Sequence, residues 1–360
     1  MTPRGACPSL AAPMPTGDGL LARIPSGPMP PARWIALADA AATFGNGLLE
    51  ITARGNLQVR GLRPATVAPF AAAIGEGWPA DPLVITSPLA GLDPAEHADP
   101  RPLAGAIRTA APPLPPKFAI AVDGGGALHL DALAADLRLT ATAAGWVLQD
   151  GDALLPPLPE AEALAALLAR LADPTRRSRL PLVPRPPAEP LGLHPLRHGL
   201  ALGIAGTFEA PRLAAYAEAA ASAGATALTG APGRALLALG PLAPDPLRTA
   251  AHRLGLITSP DDPRRRIAAC AGCPACASAT IATRPLAEAL APHLPPGLAL
   301  HLSGCPKGCA HPGRAALTLV GLDGRIGLVP GGTARDRPAR MLDAEALPDL
   351  IASLQDATAP

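Results

Sequence analysis

The chain has 360 residues, 49% of them hydrophobic, with a formal net charge of +1. That length suffices for two or three packed domains. The near-neutral charge excludes the basic footprint of a nucleic-acid binder, and no apolar run reaches the length of a membrane span. The N-terminus lacks the charged-then-apolar pattern of a secretory leader, so a cytoplasmic, reduced protein is expected. Residues 1 to 18 are rich in Pro and Gly and read as extended. Cys7 in this stretch reads as a small buried residue.

Residues 19 to 25 read as a strand, and Pro31 to Phe44 as a helix. Trp34, Leu37, Ala38 and Ala41 form its apolar face, and Gly45 ends it. Strands follow at Leu48 to Thr52 and at Asn56 to Arg60. This β-α-β-β order is close to half of a ferredoxin-like unit. The pattern returns later. Residues 199 to 205 match the first strand, Pro211 to Gly224 the helix and 227 to 240 the hairpin, with Gly240 falling on Gly61. Two such halves related by a pseudo-twofold imply a groove between them, and grooves of that kind hold ligands.

Between the repeats, Leu83 to Thr86 reads as a strand and Ser87 to Pro94 as a turn. Lys117 to Val122 reads as a second strand, Asp123 to Gly126 as a hairpin turn, and Glu160 to Asp173 as an amphipathic helix. The proline-rich residues 181 to 196 read as a linker. After the second repeat, Ala315 to Val320 and Arg325 to Val329 form a hairpin turning at Asp323-Gly324. Glu345 to Gln355 closes the chain as a helix.

Five of the six cysteines lie between Cys270 and Cys309. Thiolates beside Gly and Pro loops suit a soft metal. Ordinary buried cysteines fit such crowding poorly, and disulfides are not expected because nothing in the sequence suggests export. Zinc sites usually pair C-x2-C with a second such pair. Cys270-x5-Cys276 and Cys305-x3-Cys309 fit a [4Fe–4S] cluster better, although Cys270, Cys273 and Cys276 also read as the C-x2-C-x2-C of small ferredoxins. Composition adds a pointer. Of 30 basic residues only Lys117 and Lys307 are lysine, and asparagine survives only at Asn46 and Asn56. Residues kept against a biased background are candidates for positions that need them.

C-x5-C followed by G-C-x3-C resembles the cluster motif of the sirohaem-type nitrite and sulfite reductase family. The resemblance implies an α+β fold of duplicated ferredoxin-like half-domains, related by a pseudo-twofold and interleaved with 4Fe-4S, tetrapyrrole-binding domains. The implied boundaries are 15–78 and 190–257 for the half-domains, 80–180 for the first tetrapyrrole-binding domain and 262–358 for the cluster domain. It also implies that Cys270, Cys276, Cys305 and Cys309 ligate the cluster, with Cys309 nearest the tetrapyrrole. Thr52, Arg54 and Gln58 match the family's T-x-R-x-x-x-Q motif. Arg23, Asn56, Lys117 and Lys307 complete the expected tetrapyrrole contacts, with Arg60 and Arg234 as weaker candidates. Arginine suits a ring bearing many carboxylates.

The family's middle strand carries K-x-K. Here it is Lys117-Phe118-Ala119, and no basic residue precedes Thr86 from Asp81 onward. A depleted anion site argues against reduction of sulfite or nitrite. Residues 4 to 8, 13 to 21 and 44 to 52 resemble a subgroup of tetrapyrrole monooxygenases in aerobic cobalamin synthesis. That subgroup implies precorrin-3A as substrate, O2, and NADH-derived electrons delivered by a partner reductase, with C20 hydroxylation and γ-lactone closure. Two alternatives stand beside it: a sirohaem-dependent reductase, and a non-catalytic tetrapyrrole-binding or electron-transfer protein.

Overall fold

The structure is a computed structural model. It describes residues 8–25, 27–78, 84–115, 117–172 and 186–343, with residues 346, 349–351 and 354 near the C-terminus. Cys7, residues 81 to 83, the start of the proline-rich linker and most of the closing helix lie outside the described residues. The chain forms two compact units. One comprises residues 1–14 with 20–259, the other 15–19 with 260–360. Among the described residues no helix is long and apolar enough to cross a membrane.

The first unit contains two copies of one α+β pattern. Strand Gly19–Ile24, helix Pro31–Phe44, strands Leu48–Ile51 and Leu57–Leu62, and helix Pro64–Ile74 form the first. Strand Gly199–Ala205, helix Ala210–Ser222, strands Ala227–Ala231 and Ala235–Gly240, and helix Pro244–Arg253 form the second. Proline stands in the first turn of each helix, where its missing N–H costs nothing. Helices Pro31–Phe44 and Ala210–Ser222 share one core, in which Trp34, Leu37, Leu213 and Tyr216 are fully enclosed. Gly61 is forced by space and conformation together: its φ is +73° and a Cβ would lie 2.4 Å from Asn46 Cβ. Gly240, its repeat partner, has φ +146° and a Cβ there would meet Gly224 O at 2.6 Å.

The copies are joined by reciprocal contacts. Met29 bridges to Leu228, and Phe208 pairs with Leu49. Each contact is the other with the copies exchanged, the signature of a twofold interface. Trp34 Nε1 donates to Leu228 O at 3.1 Å across the same seam.

The duplication also extends beyond these halves. In the first unit, strands Val84–Thr86, Ile120–Asp123 and Leu137–Thr142 run parallel, and Gly145–Asp150 and Ala153–Leu154 follow antiparallel. In the second unit, Ile267–Ala269, Leu300–Ser303 and Leu317–Leu322 run parallel, and Arg325–Pro330 and Arg340–Asp343 follow antiparallel. Register agrees residue for residue. Ile120 pairs with Leu137 and Leu137 with Asp150, as Leu300 pairs with Leu317 and Leu317 with Pro330. In the sequence only the half-domain repeat is legible. Sheet register was not visible, because the loops of these two sheets carry unrelated residues.

Two local readings are corrected. Asp123 to Gly126 is not a hairpin turn. The strand before it lies parallel to its neighbour, so the chain must cross back before Leu137. The strand expected from Lys117 starts only at Ile120. Lys117 has φ +65°, and Phe118 N donates to Pro115 O at 3.0 Å, closing a turn instead. The Asp323-Gly324 turn has φ +50° and +79°, suited to a tight hairpin.

Candidate functional site

In the second unit, two parallel strands end side by side, Ala269 opposite Leu302. Cys270 directly follows the first strand. Cys305 and Cys309 lie on the loop that follows the second. Cys270 N donates to Leu302 O at 3.2 Å, and Gly304 N donates to Cys270 Sγ at 3.1 Å. Thr280 N donates to Gly304 O at 2.8 Å, tying the Cys273–Cys276 loop to the Cys305 loop. The buried Thr283 hydroxyl donates to Cys270 O at 2.8 Å. Cys273 Sγ donates to Ala279 O at 2.8 Å. A Cβ on Gly17 would lie 2.5 Å from Cys276 Sγ, so the 15–19 segment lies directly on that thiol. Cys309 is exposed.

Beside Cys305 is an open depression of ≈ 480 Å³, lined also by Ser278, Pro306, Lys307 and Arg335. Lys307 Nζ donates to Ser278 Oγ at 2.8 Å.

In the first unit, the hairpin Leu48–Leu62 carries the other expected contacts. Arg23, Gln58 and Glu50 stand in one cross-strand row on the face away from the core. Arg23 Nε is buried without a hydrogen-bond partner among the described residues. Arg60 pairs with Glu50 at 3.1 Å. Thr52 Oγ1 accepts from Arg54 N at 3.3 Å and from Asn56 N at 3.1 Å, so it shapes the turn that presents Arg54. Arg54 is half-buried, bridges to Pro232 of the second copy, and lines a cavity of ≈ 330 Å³. Lys117 is exposed and does not line that cavity. Arg234 sits at φ +64° in the matching turn of the second copy.

Residues 13–77 match the family described as Nitrite/Sulfite reductase ferredoxin-like half domain. A precorrin-3B synthase from Sinorhizobium sp is 42% identical over 98% of this chain and 88% of its own length. The chain belongs to the precorrin-3B synthase family. The solved structure of Mycobacterium tuberculosis NirA protein matches with a TM-score of 0.61 at 20% identity, covering 92% of this chain and 79% of that one. At that identity it shows that the fold is shared.

The thiol loops have the donor chemistry an iron–sulfur cluster needs: soft sulfur ligands, with a backbone N–H already aimed at one sulfur. Among the described residues, no three His, Cys, Asp or Glu side chains gather closely enough to hold a metal ion. The loops bring Cys270, Cys273, Cys276 and Cys305 into one stitched region. They leave Cys309 at its exposed end.

Two groups here lie outside the motifs. His301 is fully buried, and burial beside His311 pushes its pKa down to about 4, so it is neutral at ordinary pH. Its place in His301-x3-Cys305 was the available signal. His129 and Asp131, on the crossover loop of the first sheet, carry no motif at all.

Proposed function

We propose that this chain is an oxidoreductase of aerobic cobalamin synthesis that hydroxylates precorrin-3A at C20 and closes a γ-lactone. The observation that carries this reading is the 42% identity to a precorrin-3B synthase over nearly the whole chain. The cofactor assignment is Cys270, Cys276, Cys305 and Cys309 as ligands of a [4Fe–4S] cluster, which when bound supplies electrons one at a time. Those electrons come from NADH through a partner reductase. One oxygen atom of O2 enters the product and the other leaves as water. The domain assignment remains 15–78, 80–180, 190–257 and 262–358.

The chain's own residues have binding and orienting roles. Arg54, Arg23 and Gln58 engage ring carboxylates. Thr52 and Asn56 hold the hairpin that presents Arg54. Ala119, buried at 2% exposure, stands where reductases of this fold place a second lysine. An alanine there removes a cation that sulfite or nitrite would need. Lys117 on an exposed turn supports the same reading.

The test is anaerobic reconstitution followed by precorrin-3A, a one-electron donor system and 18-O2. One labelled oxygen, about 16 mass units above the substrate before labelling, is expected from the stated reaction. Sulfide or ammonia production from sulfite or nitrite, with bound sirohaem, would favour the reductase alternative. An intact cluster without either turnover would favour electron transfer or binding alone.

A further inference from the structure

A buried hydroxyl stands behind Cys270. Thr283 is the first residue of helix Thr283–Leu290 and is 0% exposed. Threonine near a helix start usually caps a backbone N–H of its own helix. Here the helix begins after Ala282 with no side-chain cap. The Thr283 hydroxyl is turned toward Cys270 instead. It donates to Cys270 O at 2.8 Å and lies 3.8 Å from Cys270 Sγ, within reach for a partner as large as sulfur.

Space for that hydroxyl is built into the chain. Gly272 has φ +65°, and a Cβ there would lie 2.4 Å from Thr283 Oγ1 and 2.6 Å from Thr283 N. Cys273 N donates to Ile281 O at 2.9 Å, which fixes the loop over the helix start. A side chain at position 272 would displace the hydroxyl or the loop.

The hydroxyl has one proton, and its two acceptors belong to the same residue. A metal-bound cysteine sulfur carries no proton, so toward it the hydroxyl can only donate. Gly304 N already donates to that sulfur at 3.1 Å. Two different elements thus bring a donor to Cys270 Sγ. Cys273 is arranged the other way, since its own S–H is spent on Ala279 O at 2.8 Å. Burial of Thr283 excludes water from the contact, and a hydrogen bond in such surroundings is electrostatically stronger than in water.

We infer that Thr283 is a positioning residue of the thiol site: its hydroxyl is a second donor to the Cys270 sulfur and raises the reduction potential of the group that sulfur binds. The inference rests on the [4Fe–4S] reading above. Hydrogen bonds to cluster sulfurs help to set the potential, and donors there favour the more negative, reduced state. Thr283 acts only through Cys270.

The full chain is reconstituted anaerobically as the parent and as two variants. Thr283→Val keeps the branched shape and removes the hydroxyl, whereas Thr283→Ser keeps the hydroxyl. Iron and sulfide analysis establishes loading. Stepwise reduction with dithionite and mediators, followed by the visible spectrum, gives the potential. Urea denaturation of each apo chain measures what the hydroxyl does for the fold alone. Thr283→Val is expected to disfavour the reduced form about tenfold, a potential about 59 mV lower for one electron. Thr283→Ser is expected to stay near the parent value. Thr283→Ala takes the place of the Val variant where the latter does not load.

An unchanged or higher potential in the loaded Val or Ala variant overturns the inference. A destabilised apo chain would then confine the hydroxyl to the Cys270 carbonyl. An equal shift in Thr283→Ser also overturns it, because the hydroxyl would not be the cause. Failure of both the Val and Ala variants to load, with the parent loaded, overturns it too and assigns the hydroxyl to assembly. Absence of a cluster in the parent chain sinks the cofactor reading itself, and the inference with it.

Discussion

Gly304 and Cys270 are linked directly: the Gly304 backbone N–H donates to Cys270 Sγ at 3.1 Å. The link joins the two thiol loops at the ends of adjacent parallel strands. A backbone N–H aimed at a sulfur is the kind of contact that the sulfurs of an iron–sulfur site accept. Cys273 has the opposite arrangement, because its S–H donates to Ala279 O at 2.8 Å.

That contrast separates the two possible ligand sets. Single Ser substitutions at Cys270, Cys276, Cys305 and Cys309 are each expected to remove most iron and sulfide after anaerobic reconstitution. Cys273→Ser is expected to keep both. Elemental analysis with the visible spectrum reads the outcome. A cluster lost in Cys273→Ser but kept in Cys309→Ser would transfer the assignment to the Cys270, Cys273 and Cys276 trio.

Gly304 also offers a steric test. A Cβ there would lie 2.6 Å from Ala279 Cβ, and neither group has a flexible end to swing away. Gly304→Ala must therefore spread the thiol loops. A loss of about 1–3 kcal/mol is expected, as for overpacking elsewhere. Urea denaturation of the apo chain measures it without involving the cluster. Unchanged stability would mean that the two loops are not tightly joined.

The sequence revealed some features well and others poorly, for physical reasons. Helix Pro31–Phe44 was legible to its ends because proline opens it, Gly45 closes it, and Trp34, Leu37, Ala38 and Ala41 keep helical spacing. The half-domain repeat was legible because helices and tight glycines constrain residue type, as at Gly61 and Gly240. The duplicated sheets were not, since register lives in backbone pairing. Their loops diverged from Cys305 and Cys309 to Gly125 and His129. Arg54 was found by motif, but the turn that presents it depends on the Thr52 hydroxyl bonding two backbone N–H groups. The Lys117 turn went unseen because a positive φ at lysine leaves no trace in composition.

Arg54 and Arg60 lie on one hairpin with different surroundings. Arg60 is held by Glu50 at 3.1 Å, whereas Arg54 lines the cavity. Arg54→Ala should weaken tetrapyrrole binding by about 1.5–3 kcal/mol, the range for a charge-assisted contact. Arg60→Ala should change it by less than about 1 kcal/mol, the scale of a surface ion pair. Fluorescence quenching by a carboxylated tetrapyrrole gives both values. Equal losses would mean that the ring senses overall charge rather than a placed guanidinium.

The last prediction concerns Glu96, a residue only 8% exposed. Its Oε2 accepts from Gly91 N at 2.8 Å, while Oε1 has no partner among the described residues. A Cβ on Gly124 would lie 2.8 Å from Oε1, so the glycine loop leaves no room for a side chain above it. Burial pushes the pKa up from 4.5 to about 7, helped by Asp93 and Asp99 and opposed by the Gly91 hydrogen bond and by Arg197. The folded chain therefore holds a proton here that the unfolded chain has released. The contribution of Glu96 to stability is full below pH 4.5 and is lost as pH rises through about 7. The shift corresponds to about 3 kcal/mol above that window. Glu96→Gln removes the ionisation and keeps an oxygen acceptor for Gly91 N. It should match the parent chain near pH 4.5 and exceed it by about 2–3 kcal/mol at pH 8 in urea denaturation. If the difference between parent and variant were the same at both pH values, Glu96 would not be the group that titrates.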